Sequence, residues 1–240
     1  MRSHLTVAAA VLGALVGLGL ALAGFFVGEA LKEARSAERF VTVRGFAERN
    51  VQADLVIWPI TFRDTGNDLA ELQKVVDSHK NEVRAFLAAA GFRPEEISEM
   101  PPQVTDLKAQ AYGDGQKRDY RYIATATITL RTSDVKAAKK AMEDSGKLVL
   151  RGIVLAEQDY ARSTEFLFTG LNEIKPAMIA EATKNAREAA EQFARDSGAR
   201  VGSIRRASQG LFTIEDRDKG SPDHKKVRVV TTVEYFLSSD

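Results

Sequence analysis

The apolar positions after residue 40 follow two periods, and each period predicts a different kind of element. Two stretches repeat apolar residues every three or four positions, from about Asp68 to Ala90 and from about Lys175 to Ser197, the second with Pro176 in its first turn. Each stretch is followed by a glycine that can end a helix, so we expect two long amphipathic helices. The expected apolar stripes are Leu69, Leu72, Val76, His79, Val83, Phe86 and Ala90 in the first helix, and Ile179, Ala182, Ala186, Ala190 and Phe193 in the second.

Other segments alternate apolar and polar residues, which is the pattern of a strand with one buried face. "DYRYIATATITLRT" is the clearest, and "KKVRVVTTVEYFL" repeats it near the C-terminus. Pro59 cannot donate to a ladder, so we expect its strand to lie at an edge or to carry a bulge. Strands are expected near 40–51, 55–63, 97–107, 120–131, 158–168, 203–214 and 226–237, with a short helix near 134–144.

Three kinds of landmark recur along the chain at a nearly constant offset. Gly66 and Gly170 precede the two long helices, Gly91 and Gly198 follow them, and the clearest strands begin near Tyr122 and Arg228. The expected fold class is therefore α+β, with a duplicated βαββ domain over 40–240 whose halves are approximately 40–133 and 150–240. Antiparallel sheet with the long helices packed on it is the natural architecture.

The N-terminal region differs from the rest, because residues 5–28 contain no charged side chain. A helix of this length would be about 36 Å long, which exceeds the ~30 Å hydrocarbon core of a bilayer. We expect a retained single-pass signal anchor over 1–30, followed by a linker over 31–39. The alternative is an export signal cut at Ala21-Leu22-Ala23, which would leave a soluble periplasmic protein. Arg2 precedes the apolar run, so the N-terminus is expected in the cytoplasm and the body outside the inner membrane.

Small residues recur along this segment at helical spacing, and they form a candidate packing face for a membrane helix. Two of the pairs have the GxxxG spacing that lets helix backbones approach closely. The alternative explanation is that export signals are generally rich in glycine and alanine. The candidate packing residues are Gly13, Gly17, Ala21, Gly24 and Gly28.

Composition excludes several kinds of chemistry. The chain has 34 Lys and Arg against 33 Asp and Glu, for a net charge of +1, so no basic surface for nucleic acid is indicated. It has no cysteine, which excludes disulfides, thiolate nucleophiles and cysteine-ligated metals.

Three candidate sites each have a structural explanation that we favour. His79 lies on an apolar stripe, where a core histidine with a satisfied hydrogen bond is expected. Ser133 and Lys136 have serine-acylase spacing, but no companion motif follows, and Ser133 is expected to cap the short helix. The segment Glu215–His224 lacks ligand positions of a calcium loop and is expected to be a solvated hairpin loop. We therefore assign no catalytic, cofactor-binding or metal-binding residue and no cofactor.

Three long segments resemble the SIMPL-domain family of bacterial envelope proteins: "VTVRGFAERNVQADLVIWPITF", "FTGLNEIKPAMIAEATKNAREAAEQFARDSGARVG" and "KKVRVVTTVEYFL". The resemblance implies a periplasmic α+β domain, homo-oligomers that can be large and ring-like, and an association with oxidative stress defence. Common members have G-x-G and Pro-Asp where this chain has Arg44-Gly45-Phe46-Ala47 and Ala53-Asp54. This difference indicates a subfamily.

The expected function is that of a non-enzymatic, membrane-anchored periplasmic protein. It assembles into a large homo-oligomer and has an indirect role in envelope or oxidative stress defence. Its expected partners are its own copies and the lipid bilayer, which it contacts through residues 5–28, with no nucleic acid. The alternative is a periplasmic ligand-binding module with a pocket between the two halves. A hydrolase that uses His79 or Ser133 is the third hypothesis.

Overall fold

The fold is taken from a computed structural model of the chain, which describes residues 13, 15–28, 39–109, 119–156 and 163–239. Predictions that concern residues 1–12 and 14, the end of the anchor at 29–30, the linker at 31–38, the loop at 110–118 and the strand start at 158–162 lie outside these residues. Residues 15–28 are helical. Within the described part of the chain, no helix has both the length and the hydropathy that a membrane crossing requires.

The body mixes helices with antiparallel strands, as the expected α+β class requires. A turn of 3-10 helix at Pro94–Glu96 precedes the third strand. The strands are β1 Phe40–Gln52, β2 Leu55–Gly66, β3 Ile97–Glu99, β4 Gln103–Asp106, β5 Tyr122–Thr132, β6 Glu165–Leu167, β7 Ala199–Gln209, β8 Thr213–Asp216 and β9 His224–Ser239. The helices are α1 Leu69–Ala89, α2 Val135–Glu143, α3 Gly146–Val149 and α4 Leu171–Asp196.

Two strands expected to be continuous are divided. The segment expected at 97–107 forms β3 and β4, separated by Pro101 and Pro102, which have no backbone N–H to donate to a ladder. The segment expected at 203–214 forms β7 and β8. The one-turn helix α3 was not anticipated, because four residues are too few for a periodic pattern.

Helix ends follow the expected capping chemistry, with one correction. The Asp68 carboxylate accepts a hydrogen bond from the Glu71 N–H at 2.9 Å and starts α1, and Gly91 follows the helix with a φ of 95°. The cap expected at Ser133 is wrong. Asp134, one residue later, accepts from the Ala137 N–H at 2.9 Å and begins α2.

The second long helix begins earlier than expected, so Pro176 lies inside α4 rather than in its first turn. The physical reason is a cap from a distant part of the chain. The carboxylate of Asp54, between β1 and β2, accepts hydrogen bonds from the backbone N–H groups of Thr169 and Gly170 at 2.8 to 3.0 Å. These bonds satisfy backbone donors just before the helix start.

The strands form two sheets, a number that the expectation of antiparallel sheet left open. The chain divides into two compact units. The central unit consists of the described residues of Arg49–Ile174 and Ile214–Val227. The terminal unit consists of Lys175–Thr213 and Arg228–Asp240 together with the described residues before Arg49. Hydrophobic periodicity identifies a strand and its buried face but not its hydrogen-bonded neighbour, so the sequence did not determine how the strands divide between sheets.

The central unit is built on a five-stranded sheet in the order β3-β5-β2-β6, with β4 also paired to β5. β2 and β5 pair antiparallel from Val56 opposite Thr132 to Gly66 opposite Tyr122. The buried face of α1 packs against this sheet, and the shared core includes Val56, Phe62, Val76, Val83, Phe86, Leu87, Ile128 and Leu130.

Pro59 lies in an interior strand, but at a point where the ladder is interrupted. On one side it faces Thr129 of β5. On the other side, the described pairing covers Leu55–Ile57 with β6 and then resumes at Thr61, whose carbonyl accepts from the Ala156 N–H. Pro59 thus occupies a gap that needs no N–H donor, which partly fulfils the expectation of an edge or bulge.

The terminal unit is built on the sheet β1-β9-β7, with β8 also paired to β9. Helix α4 covers one face of this sheet and buries mainly alanine: Met178, Ala182, Ala186, Ala190 and Ala194. The expectation that Phe193 belongs to the buried stripe is wrong, because its side chain is 52% exposed. Small side chains at the contact let the helix approach the sheet closely, and a large phenylalanine would hold it away.

Candidate functional site

The sheet of the terminal unit has one face covered by α4 and one face open to solvent. Along β1 the positions alternate strictly: Val41, Gly45 and Ala47 are buried, whereas Phe40, Thr42, Arg44, Phe46 and Glu48 are exposed. β9 repeats the pattern, with Val229, Thr231, Val233 and Tyr235 buried and the intervening residues partly or fully exposed. We call the solvent-facing side of this sheet the open face. It consists of the exposed β1 residues, the alternate β9 residues from Arg228 to Phe236, and the Arg205 side chain that contacts them. The exposed β1 residues are Phe40, Thr42, Arg44, Phe46 and Glu48.

Two phenylalanines of the open face have similar surroundings. The Phe40 ring is 43% exposed, and the guanidinium of Arg205 lies 4.2 Å from its centroid. The Phe46 ring is 52% exposed, and the guanidinium of Arg228 lies 5.3 Å from its centroid. Each phenylalanine is therefore an exposed apolar surface with a cation above it, a combination that is common where proteins bind other proteins.

Each arginine also has a carboxylate partner on the same face. Arg205 lies 3.5 Å from Glu234, and Arg228 lies 3.1 Å from Glu48. The open face thus combines apolar rings with cations and anions in nearly equal number. Such a surface has no strong single-signed field, so it suits contact with a surface of the same composition.

β7 forms an edge of the same sheet, and it is exposed along most of its length. Every residue from 203 to 211 is exposed, with Ile204 at 50% and Leu211 at 90%. β9 pairs with one side of β7, and within the described residues no strand pairs with the other side. A long edge strand presents unpaired N–H and C=O groups that can accept a strand from another chain.

The histidine candidate is placed as expected. His79 Nδ1 lies 2.9 Å from Asp64 Oδ1, and the imidazole makes an edge-to-face contact with Phe62 at 6.1 Å. The expected hydrogen bond is confirmed, and the side chain of His79 is part-buried, at 18% exposure. Asp64 Oδ2 is buried and without a hydrogen-bond partner among the described residues.

The segment Glu215–His224 contains the turn between β8 and β9, as expected of a hairpin loop, and residues 215–220 of it are exposed whereas Asp223 is buried. Asp218 accepts hydrogen bonds from Arg217 Nε at 2.8 Å and from the Gly220 N–H at 3.0 Å. The bond from Arg217 lowers the pKa of Asp218 below its usual value. Among the residues that the structure describes, no group of three or more His, Asp or Glu could hold a metal ion.

Asp223 is a buried carboxylate that the sequence analysis missed. Burial raises its pKa, but the hydrogen bond from Lys139 Nζ at 2.8 Å lowers it, and the balance leaves the pKa of Asp223 below its usual value. Lys139 is on α2, 84 residues away. No local pattern connects the two residues, so this ion pair could be found only from the fold.

Helix α2 borders two open grooves of the central unit. One, of about 510 Å³, is lined by residues that include Gln52, Lys136, Lys139 and Asp223. The other, of about 330 Å³, includes Lys140, Lys147 and Arg151 in its lining. Lys136, the second residue of the serine-acylase spacing, thus lines a groove rich in lysine. The alternative of a ligand pocket between the two halves stays a prediction.

The candidate packing residues near the N-terminus are all in helical backbone and all exposed except Gly28, which is partly buried. A Cβ atom built on any of the four glycines would meet no other atom within 4 Å. Among the described residues, nothing outside this helix therefore packs against the four glycines. Its role in packing stays a prediction for Gly13, Gly17, Ala21, Gly24 and Gly28.

Comparison with known families gives one clear result. The model of the SIMPL family, described as a protein of unknown function (DUF541), matches residues 41–234. The chain belongs to the SIMPL family. Among curated proteins, none matches the chain. The SIMPL match includes strands of both sheets and, of the open face, every residue except Phe40 and Phe236.

Membership in the SIMPL family confirms the resemblance drawn from the three long segments. Two residues that this SIMPL chain keeps within the segments where it departs from common members have structural roles. A Cβ on Gly45 would lie 1.9 Å from the carbonyl oxygen of Ala182, so β1 and α4 touch there through their backbones. Asp54 caps the region where α4 begins. The glycine and the aspartate are the parts of the two motifs that this contact and this cap require.

Proposed function

We propose that this SIMPL protein is a non-enzymatic, membrane-anchored periplasmic protein that assembles into a large homo-oligomer. The observation that carries the proposal is the open face, where Phe40 and Phe46 are exposed and each lies beneath an arginine. In this proposal, the role in envelope or oxidative stress defence is indirect and follows from the assembly.

A second copy of the chain is the occupant that the open face fits best. A symmetric contact between two copies places the same patch on both sides, so the patch must complement itself. The balance of Arg205 and Arg228 with Glu234 and Glu48 meets this condition, and burial of the phenylalanines supplies the apolar contact. The overall net charge of +1 adds little long-range repulsion between copies.

An assembly larger than a dimer needs a second contact surface on each copy. The exposed edge of β7 supports such a contact, because it can pair with a strand of a neighbour while the open face engages another copy. Arg205 and Arg206 disfavour pairing of β7 with its own copy, since the side-by-side arginines would repel. A different edge of the neighbour is therefore the proposed partner. A contact between unlike surfaces can close into a ring, the form that the family resemblance implies.

The anchor is proposed from the uncharged N-terminal segment. Residues 15–28 are helical, and their apolar side chains are exposed, including Leu20 at 69% and Phe26 at 67%. A lipid environment would cover these side chains. The single-pass arrangement with a cytoplasmic N-terminus and a periplasmic body follows from the charge at Arg2.

The experiment compares two phenylalanines of equal exposure in the terminal unit. Phe46 on the open face and Phe193 on α4 are each 52% exposed. Full-length Phe46→Ser and Phe193→Ser proteins are purified in detergent, and sedimentation velocity measures their mass. We expect Phe46→Ser to reduce the oligomer to smaller species, because it removes an anchor of the proposed contact. Phe193→Ser is expected to keep the wild-type mass.

Circular dichroism first tests whether both variants are folded, and only folded proteins are compared by mass. Equal oligomer mass for wild type and a folded Phe46→Ser protein would contradict the open face as an assembly surface. A loss of mass only in Phe193→Ser would place the contact on the outer side of α4 instead.

A further inference from the structure

The turn that follows helix α3 exposes aliphatic side chains to an unusual degree. Leu150 is 87% exposed, Val154 63% and Val149 55%, whereas Leu148 and Ile153 beside them are fully buried. The buried pair holds the turn on the central unit, and Gly152, with a φ of 87°, lets the backbone reverse. We call Val149, Leu150 and Val154 the aliphatic tip.

Cationic residues lie next to the aliphatic tip in sequence. Lys147 precedes Val149, Arg151 directly follows Leu150, and both line the groove of about 330 Å³ together with Lys140. Asp144 is the carboxylate in this lining, and the rest of it is apolar, from Phe86, Ala89, Ala90, Ala137 and Ala141. The groove lining therefore combines three cations, one carboxylate and apolar side chains, and its Arg151 is the next residue after the exposed Leu150.

The ion pairs at this site leave the cations available to another anion. Lys147 pairs with Asp144 at 2.9 Å, with side chains 60% and 42% exposed. Arg151 pairs with Glu82, also in solvent. Exposed pairs of this kind are weak, so a phosphate can compete for them. Within the described residues, Lys140 has no carboxylate partner.

We propose that the aliphatic tip and its basic groove contact the membrane surface, with Leu150 at the boundary between headgroups and acyl chains and the cations on the phosphates of anionic lipids. This inference rests on the proposed anchoring, which keeps a bilayer within reach of the body. Aliphatic residues flanked by lysine and arginine are the combination that binds such surfaces. A second copy that presents the same tip is disfavoured, because three cations against the carboxylates of Asp144 and Glu82 leave each site with a net positive charge.

The absence of cysteine makes a direct test simple, because one introduced cysteine gives one labelling site. Full-length Leu150→Cys protein is labelled with an environment-sensitive fluorophore and reconstituted into nanodiscs. One set of discs contains only phosphatidylcholine, and the other contains equal parts of phosphatidylcholine and phosphatidylglycerol. We expect a blue-shifted emission in the phosphatidylglycerol discs alone. The shift should disappear in 1 M salt, where the Debye length is about 3 Å.

Two further variants identify the cause of the shift. Leu211→Cys labels a leucine that is 90% exposed on the terminal unit, and its emission should be the same in both lipids. The second variant is a triple variant in the Leu150→Cys background, with Lys140→Gln, Lys147→Gln and Arg151→Gln. It should lower the ratio of membrane-bound to unbound aliphatic tip on the order of 100-fold, at about fivefold per cation. The melting temperature should not change, because the three side chains are exposed.

The outcomes separate this inference from the anchoring proposal. Equal emission from position 150 in both lipids, or an unchanged shift in the triple variant, would overturn the membrane contact. A shift in detergent that grows with protein concentration would assign the tip to a second copy and would also overturn it. If the chain fails to copurify with either kind of disc, the anchor is refuted but the membrane contact of the tip is not. In that case the labelled chain is mixed with phosphatidylglycerol vesicles, and absence of cosedimentation would overturn the tip contact as well.

Discussion

Replacement of Gly45 by alanine tests how closely β1 and α4 approach each other. A Cβ at this position would lie 1.9 Å from the carbonyl oxygen of Ala182 and 2.4 Å from the backbone nitrogen of Ala186. Carbon atoms in proteins normally stay about 3.5 to 4.0 Å from such neighbours. The obstructing atoms belong to helical backbone, so no side-chain rotation can relieve the overlap.

The overlap can be removed only if the helix moves away from the sheet by more than an ångström. Such a movement would loosen the contact of Ala182, Ala186 and Ala190, all fully buried, with the sheet. Overpacking of a well-packed core costs about 1–3 kcal/mol and sometimes more. A contact against backbone belongs at the upper end, so we expect a loss near 3 kcal/mol, and therefore a melting temperature lower by about 6–12 °C.

Thermal unfolding of the full-length protein, followed by circular dichroism, measures this effect. Gly146→Ala is the matched control, because a Cβ there would meet no atom within 4 Å and the residue needs no left-handed backbone. The control should stay within about 0.5 kcal/mol of wild type. A Gly45→Ala protein that melts within about 2 °C of wild type would refute the close backbone contact between β1 and α4.

Three other predictions follow from the contacts described above. Asp54→Ala leaves two backbone N–H groups at the start of α4 without their acceptor and should cost about 0.5–2 kcal/mol in urea unfolding, so unchanged stability would contradict the cap. Lys139→Met should raise the pKa of Asp223, measured by NMR titration, because burial remains while the hydrogen bond is lost. In wild type the lowered pKa of Asp223 stabilises the fold at pH values above the pKa of this carboxyl in the unfolded chain, and the stabilisation is lost as pH falls through the folded pKa. The Lys139→Met protein should lack this stabilisation. An equal pKa of Asp223 in both proteins would refute the pairing. The intact mass of the protein from cells should include the N-terminal segment, whereas a chain that begins at Gly24 would show that the segment is cleaved.

The long elements could be predicted because their information is local. The stripe from Leu72 to Phe86 and the alternation around Ile128 each lie within one segment, and the structure places these residues in one core. The glycine stops were also local, since Gly91 and Gly198 have the positive φ that ends a helix.

The features that were missed depend on residues far apart in the chain. The start of α4 depends on Asp54, more than a hundred positions earlier, as the bonds to Thr169 and Gly170 record. Phe193 fits the helical period but lies outside the alanine contact with the sheet, because close packing of backbones selects small side chains.

The candidate site was missed for a related reason. Phe40 and Phe46 were visible in the sequence, but an alternating strand does not tell which face α4 covers. The arginines that lie above them come from β7 and β9, which the sequence alone could not place in the same sheet as β1. Only the exposed position of Leu150 among basic residues could have been suspected locally, from the segment "GKLVLRG".

The central claim, that the protein assembles with copies of itself, is tested most directly by the mass of the full-length chain. Light scattering coupled to size-exclusion chromatography in detergent, corrected for the bound detergent, gives this mass at micromolar concentration. The account predicts a protein mass that is a multiple of the 26.3 kDa chain, well above a dimer, and constant over a range of protein concentrations. A protein mass equal to one chain throughout that range would contradict the account.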